Sequence, residues 1–278
     1  MGRVTDLTIP HEYVVARSVL LDALTALRAH LDAMVLVGAQ AVYSHTGDAD
    51  MVTAPTTTDA DVALAPDRLA DEPLLEEALR LAGFVSGTNP GTWRGQGAVA
   101  IDLMVPAAVS GPRRSRGARL PVHGKWVARR TLGLEPALVD NETREIQSFS
   151  PGDSRRARLR VAGPAALLVA KTIKIEERRA DHDSRRLQPK DGLDVLRLLR
   201  VIDMGEVARR LHLLAMDDVA GEVTRSALVA LREHGARADG PIATLAASAV
   251  TGTEDPDVTI ESTVLLVEEL LQACDDQR

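Results

Sequence analysis

The sequence predicts an α+β protein in which a small mixed sheet is followed by a mostly helical C-terminal half. Short apolar runs at 34–37, 60–64 and 99–105 have the length and content of buried strands. From Gly163-Pro164 onward, apolar residues recur at helical spacing almost to the end. With only two Phe, two Trp and two Tyr, the core must be built from Ala, Val and Leu, which suits helices packed on a modest sheet. A chain of 278 residues, 45% hydrophobic and 26% charged, is long enough for two units, and the boundary is expected near residue 160. That gives a first domain, 1–160, and a helical domain, 161–278, completing the site.

Taken in order, an amphipathic helix is expected from Pro10 to about residue 31, with Val14, Leu20, Leu21, Leu24, Leu27 and Leu31 on its apolar stripe. The run at 34–37 ends at Gly38 and reads as a strand turning into a second helix, 40–45. Residues 46–58, with Gly, Asp, Pro and five Thr, read as a loop. A strand at 60–64, a helix at 74–82 and a strand at 99–105 follow. The Pro-, Gly- and Arg-rich stretch 107–160 predicts strands only around Trp126 and Ile146, and Trp93-Arg94 reads as part of a Gly-rich turn. The helical half is broken near Pro189, Gly205, Gly235, Gly240 and 251–256.

The formal net charge of −7 argues against indiscriminate binding to nucleic acid through a global positive field, and no DNA partner is expected. Basic residues are nonetheless concentrated mid-chain: 113–130 holds seven Lys or Arg and no acid, and 155–160 adds four more Arg. A lone cysteine, Cys274, provides no disulfide framework and no thiolate metal site, which fits a reducing cytoplasm. No run approaches the ~18 apolar residues of a membrane span. Zinc spacing and a Walker-type glycine loop are both missing from the sequence, against zinc hydrolases and P-loop NTPases.

The chemistry points to TTTDADVAL. On a strand, Asp59 and Asp61 share a face while Ala60, Val62 and Leu64 pack inward, the arrangement needed to hold two hard cations ~4 Å apart. The same spacing at Asp48 and Asp50 has no strand behind it and reads as loop acids. In VAIDLMVP, Asp102 interrupts an apolar strand, and a neighbouring strand bearing Asp59 and Asp61 would give it cations to neutralise. Gly38 opens a helix whose free N–H groups suit phosphate oxygens. Further on, Lys171, Lys174 and Arg178 at i, i+3 and i+7 form one cationic stripe, and Lys190 stands four residues before Asp194.

LVGAQAVYSHTG, TTTDADVAL and AIDLMVP together resemble the minimal nucleotidyltransferase core of the DNA polymerase beta-like superfamily. The segment AALLVAKTIKIEERRADHDSRRLQPKDGLDVLRLL is similar to the helical Lys, Arg and Lys-Asp pattern of AbiEii-like, MenT-type toxins of type IV toxin–antitoxin systems. The likeness covers 34–105 and 164–200. It implies two Mg²⁺ ions on Asp59, Asp61 and Asp102, and an NTP co-substrate against Gly38, Ala39, Lys171, Lys174 and Lys190. Lys171 would neutralise phosphate oxygens, and Asp191 would orient that lysine or a nucleotide group. It further implies the 3′ end of tRNA as acceptor and a cognate antitoxin as partner, and the basic stretch 113–130, with Arg113, Arg114, Arg116 and Arg119, offers a place for the RNA phosphate backbone. The family has Gly-Gly or Gly-Ser where this chain has Gly38-Ala39, and a basic residue ahead of the Asp pair where this chain has Ala, Pro and Thr. A protein or small-molecule acceptor, or a decayed scaffold that only binds, stands as the alternative.

Overall fold

The computed structural model describes residues 9–47, 59–111, 115–181 and 186–277. Asp48, Asp50, Arg113, Arg114 and most of the expected 46–58 loop lie outside the described residues.

Helix α1 (His11–Ala26) follows Pro10 and buries Tyr13, Ala16, Leu20, Leu21 and Leu24. It runs into a 3₁₀ turn, Arg28–Ala33, and then into β1 (Met34–Val37), whose four residues are all buried. Helix α2 (Gly38–Thr46) starts without an intervening loop and ends at Gly47, in the left-handed region at φ +84°. The chain continues through β2 (Asp59–Leu64), α3 (Leu75–Leu81), β3 (Val85–Ser86), β4 (Thr92–Arg94), β5 (Ala100–Pro106), β6 (Arg129–Thr131), β7 (Asn141–Gln147) and β8 (Arg156–Ala162).

These strands form one mixed sheet in the order β3-β4-β5-β2-β1-β8-β7, with β6 continuing the β4 edge of β5. Strand β1 is antiparallel to β2 and parallel to β8, and β2 is parallel to β5. The mixed sheet followed by a helical C-terminal region is the class expected, and three of its strands, β3, β4 and β8, carried no strong strand signal in the sequence. The basic RRARLR run is β8: Ala157, Leu159 and Val161 turn toward the core while Arg156 and Arg158 stay exposed. Two of its arginines are answered within the protein, Arg155 by Asp22 and Asp153 and Arg156 by Glu145. Trp93 belongs to β4, 1% exposed with its indole N–H donating to Val127 O at 3.0 Å, and cannot stack a base. The strand expected at Trp126 begins instead at Arg129, and Trp126 is 53% exposed.

The chain leaves the sheet at Ala162. Four later helices begin with proline at their first position, where a fixed φ costs nothing: α4 (Pro164–Ala180), α5 (Pro189–Val201), α8 (Pro241–Ala249) and α9 (Pro256–Asp275). Between them lie α6 (Met204–Met216), capped by Asp203 on Glu206 N–H at 2.7 Å, and α7 (Gly221–Ala230). In α5, Gly192 lets the α8 backbone come close, since a Cβ there would meet Ala246 N and Ile242 O at 2.7 Å. Helix α1 packs across β2, β5 and β8, while α2 bridges the sheet to α4 and α5. No described helix is long and apolar enough to cross a membrane.

Candidate active site

Two adjacent strands and one turn build the acidic wall. Alternation along β2 turns Ala60 and Val62 into the core and leaves Asp59 and Asp61 partly open. Strand β5 repeats the pattern, with Ile101 and Leu103 buried and Asp102 open. The parallel register sets Asp61 directly beside Asp102, so all three carboxylates stand on one face. Against them, Gly38 begins α2 at φ +67°, and a Cβ there would sit 2.1 Å from Asp61 Oδ2. Only glycine fits both the backbone and the carboxylate. Asp59 is fixed from behind by buried polar side chains, with Gln40 Nε2 donating to Asp59 O at 3.2 Å and Arg17 Nε donating to Gln40 Oε1 at 3.1 Å.

The carboxylates crowd one another. Burial first, then Asp59 and more weakly Asp102, push Asp61 above the usual carboxylate range, with Lys174 and Arg129 acting the other way. Asp102 is held at both oxygens: Thr92 Oγ1 donates to Oδ1 at 2.7 Å and Arg129 Nη1 donates to Oδ2. Sequence reading singled out neither Thr92 nor Arg129.

The opposite wall comes from α4 and α5, across a cleft of about 920 Å³ that also takes in Gly38, Ala39 and Lys190. Here three cations meet one buried carboxylate, Asp191, with Lys171 Nζ at 3.1 Å, Lys174 Nζ at 3.0 Å and Arg178 Nη1 at 2.6 Å. Asp194, also buried, accepts from Lys171 at 2.5 Å and lies 3.5 Å from Arg197. Asp194 therefore belongs to this cluster rather than to the surface pair with Lys190 suggested by spacing. Although burial opposes its charge, Asp194 and Asp191 hold the Lys171 ammonium above the ordinary lysine range. Burial likewise opposes ionisation of Asp191, yet Lys171 and Lys174 keep it well below the carboxylate range. Four cations against two acids leave two formal positive charges, and Lys174 and Arg178, 38% and 23% exposed, carry the excess toward the cleft.

The three acids fit a hard divalent cation in donor type, all oxygen, and in shared orientation toward an open cleft. As the side chains stand, however, no group of three or more His, Cys, Asp or Glu among the described residues is disposed to hold a metal ion. At this site, the carboxylate of Asp102 is engaged by Thr92 and Arg129 instead. Arg116 and Arg119 are exposed, and neither lines the cleft. His45 is a packed histidine whose Nε2 lies 2.8 Å from Ala162 O, with burial lowering its pKa. Buried Cys274, in α9, stands outside the residues lining the cleft.

No known protein family, curated protein or solved structure matches the chain.

Proposed function

We propose that the chain is a magnesium-dependent nucleotidyltransferase that moves a nucleoside monophosphate from an NTP to an acceptor hydroxyl, with the 3′ end of tRNA as acceptor. The observation that carries this reading is the division of one cleft into an acidic wall, Asp59, Asp61 and Asp102, and a cationic wall led by Lys174 and Arg178. A triphosphate with its metal needs both signs of charge within one site.

Asp59, Asp61 and Asp102 would hold magnesium, which when bound lowers the pKa of the acceptor hydroxyl and offsets charge on the triphosphate. Lys174, Arg178 and Lys190 draw the phosphates to the far wall. Lys171 supports that wall by holding Asp191 and Asp194 in place, with the excess charge passed to its neighbours. Gly38 and Ala39 offer backbone N–H groups at the start of α2, close to the acids. In the transfer, the acceptor hydroxyl gives up its proton to solvent, its oxygen bonds to the α-phosphorus as the bond to the α–β bridging oxygen breaks, and pyrophosphate leaves.

Similarity of the motifs to AbiEii-like toxins extends the proposal to the toxin half of a toxin–antitoxin pair. Incubation with Mg²⁺, each α-labelled NTP and either total cellular RNA or total cellular protein tests the reaction. Label on small RNA with wild type and none with Asp61→Asn is the expected result. Label on protein would move the acceptor, and no transfer under any NTP would sink the enzymatic reading.

A further inference from the structure

Arg129 occupies the position of a cation among the acids. Its Nη1 donates to Asp102 Oδ2, its Nη2 lies 4.0 Å from Asp61 Oδ1, and the same Nη2 contacts Met104 Sδ at 3.0 Å. Backbone pairing of Arg129 with Met104 fixes it beside the strand that carries Asp102. A positive charge there relieves repulsion among the carboxylates, and it equally opposes a second cation arriving at the same oxygens.

The two ion-pair clusters of the cleft differ in one respect that matters. Lys171, Asp191 and Asp194 are closed off, with side chains 6%, 0% and 1% exposed. Arg129, Asp61 and Asp102 are 32%, 21% and 15% exposed, so water and ions reach them and exchange carries a smaller desolvation cost. The first cluster is a fixed part of the scaffold. The second is open to exchange.

We propose that Arg129 is a displaceable counterion: a positioning residue that holds Asp102 aside until a divalent cation takes its place, after which the guanidinium turns to the incoming phosphates. The proposal rests on the nucleotidyltransferase reading. It accounts for three carboxylates on one face that do not converge as a metal-binding group, and for an arginine placed where the reaction needs a metal.

Titration with Mn²⁺ in the absence of nucleotide, followed by the electron paramagnetic resonance of the free ion, tests it without any activity measurement. Arg129→Ala should bind Mn²⁺ on the order of tenfold more tightly than wild type, since one opposing charge within ~4 Å of a ligand oxygen is removed. Arg129→Lys should stay near wild type. In an Asp102→Asn background, Arg129→Ala should change the affinity much less, because the partner it restrains is gone. Equal or weaker Mn²⁺ affinity in a folded Arg129→Ala protein overturns the proposal, and Arg129→Gln carries the same comparison should the alanine variant not fold. Mn²⁺ binding that Asp61→Asn abolishes but Arg129 does not modulate overturns this inference alone. Wild-type protein that binds no Mn²⁺, or binds it regardless of Asp61, overturns the metal-dependent reading as well.

Discussion

Gly38 and Asp61 compete for one space: a side chain at the first would stand 2.1 Å from the carboxylate oxygen of the second. The backbone at Gly38 is also left-handed, φ +67°, at a cost of roughly 1–2 kcal/mol for any residue with a Cβ. Gly38→Ala should therefore lower the melting temperature and displace Asp61, and transfer activity should fall with it. Calorimetry and the labelled-NTP assay check both. A variant with wild-type melting and wild-type rate would mean that the turn does not hold Asp61.

Asp61→Asn should abolish transfer and raise stability at neutral pH. The carboxyl is pushed above its ordinary value of 3.8, so its ionised form is disfavoured in the folded protein. The sign follows from linkage: stability from such a group is present below the unfolded pKa and lost as pH rises through the raised folded one. The stabilisation by Asn should thus be largest at pH 7 and above and shrink as pH falls toward 4. Melting curves at several pH values decide it, and a destabilised variant at pH 8 would argue that Asp61 is satisfied as it stands.

The acidic wall was legible in the sequence because its signal is local. Asp59 and Asp61 share a face by strand alternation, and Asp102 interrupts an apolar run, so each can be read within ten residues. Arg129 was not legible: it reaches Asp102 across 27 residues, through the pairing of β6 with β5. In a one-dimensional reading it was only another member of a basic run. Strand β8 was hidden the same way, its period-two alternation masked by the arginines on its outward side. On α4, helical spacing did bring Lys171, Lys174 and Arg178 onto one stripe. What spacing could not supply was their common partner, Asp191, which arrives from the next helix.

That shared partner separates two lysines that look alike in sequence. Lys171 is buried against Asp191 and Asp194, so Lys171→Ala takes the nearest cation from Asp194, leaving it Arg197 at 3.5 Å, and should cost roughly 1–3 kcal/mol. Lys174 is 38% exposed at the cleft, so Lys174→Ala should leave the melting temperature nearly unchanged and raise the KM for NTP. Denaturant unfolding and NTP kinetics on both variants check this. A stable Lys171→Ala protein with selectively lost nucleotide binding would return Lys171 to the phosphates.

An RNA acceptor makes a demand on the surface that an NTP does not. Between Asp102 and Glu135 there is no acid and there are seven Lys or Arg, in a chain whose net charge is −7. Of these, Arg116, Arg119 and Lys125 are exposed, as is Trp126, whereas Arg129 is engaged in the cleft. Phosphate contacts release counterions, so each one lost should flatten the slope of log K against log salt by roughly 0.7–0.9. Replacing Arg116, Arg119 and Lys125 together with Ala should weaken tRNA binding and lower that slope by about 2 to 3. NTP affinity should stay within about twofold of wild type, because none of the three lines the cleft. Trp126→Ala should weaken single-stranded RNA further by ~1–3 kcal/mol if a base stacks on it. Filter-binding titrations at four or more salt concentrations, paired with NTP titrations, measure both quantities. An unchanged tRNA affinity and slope in the triple variant would remove this surface from the acceptor site and shift the acceptor toward a protein or a small molecule.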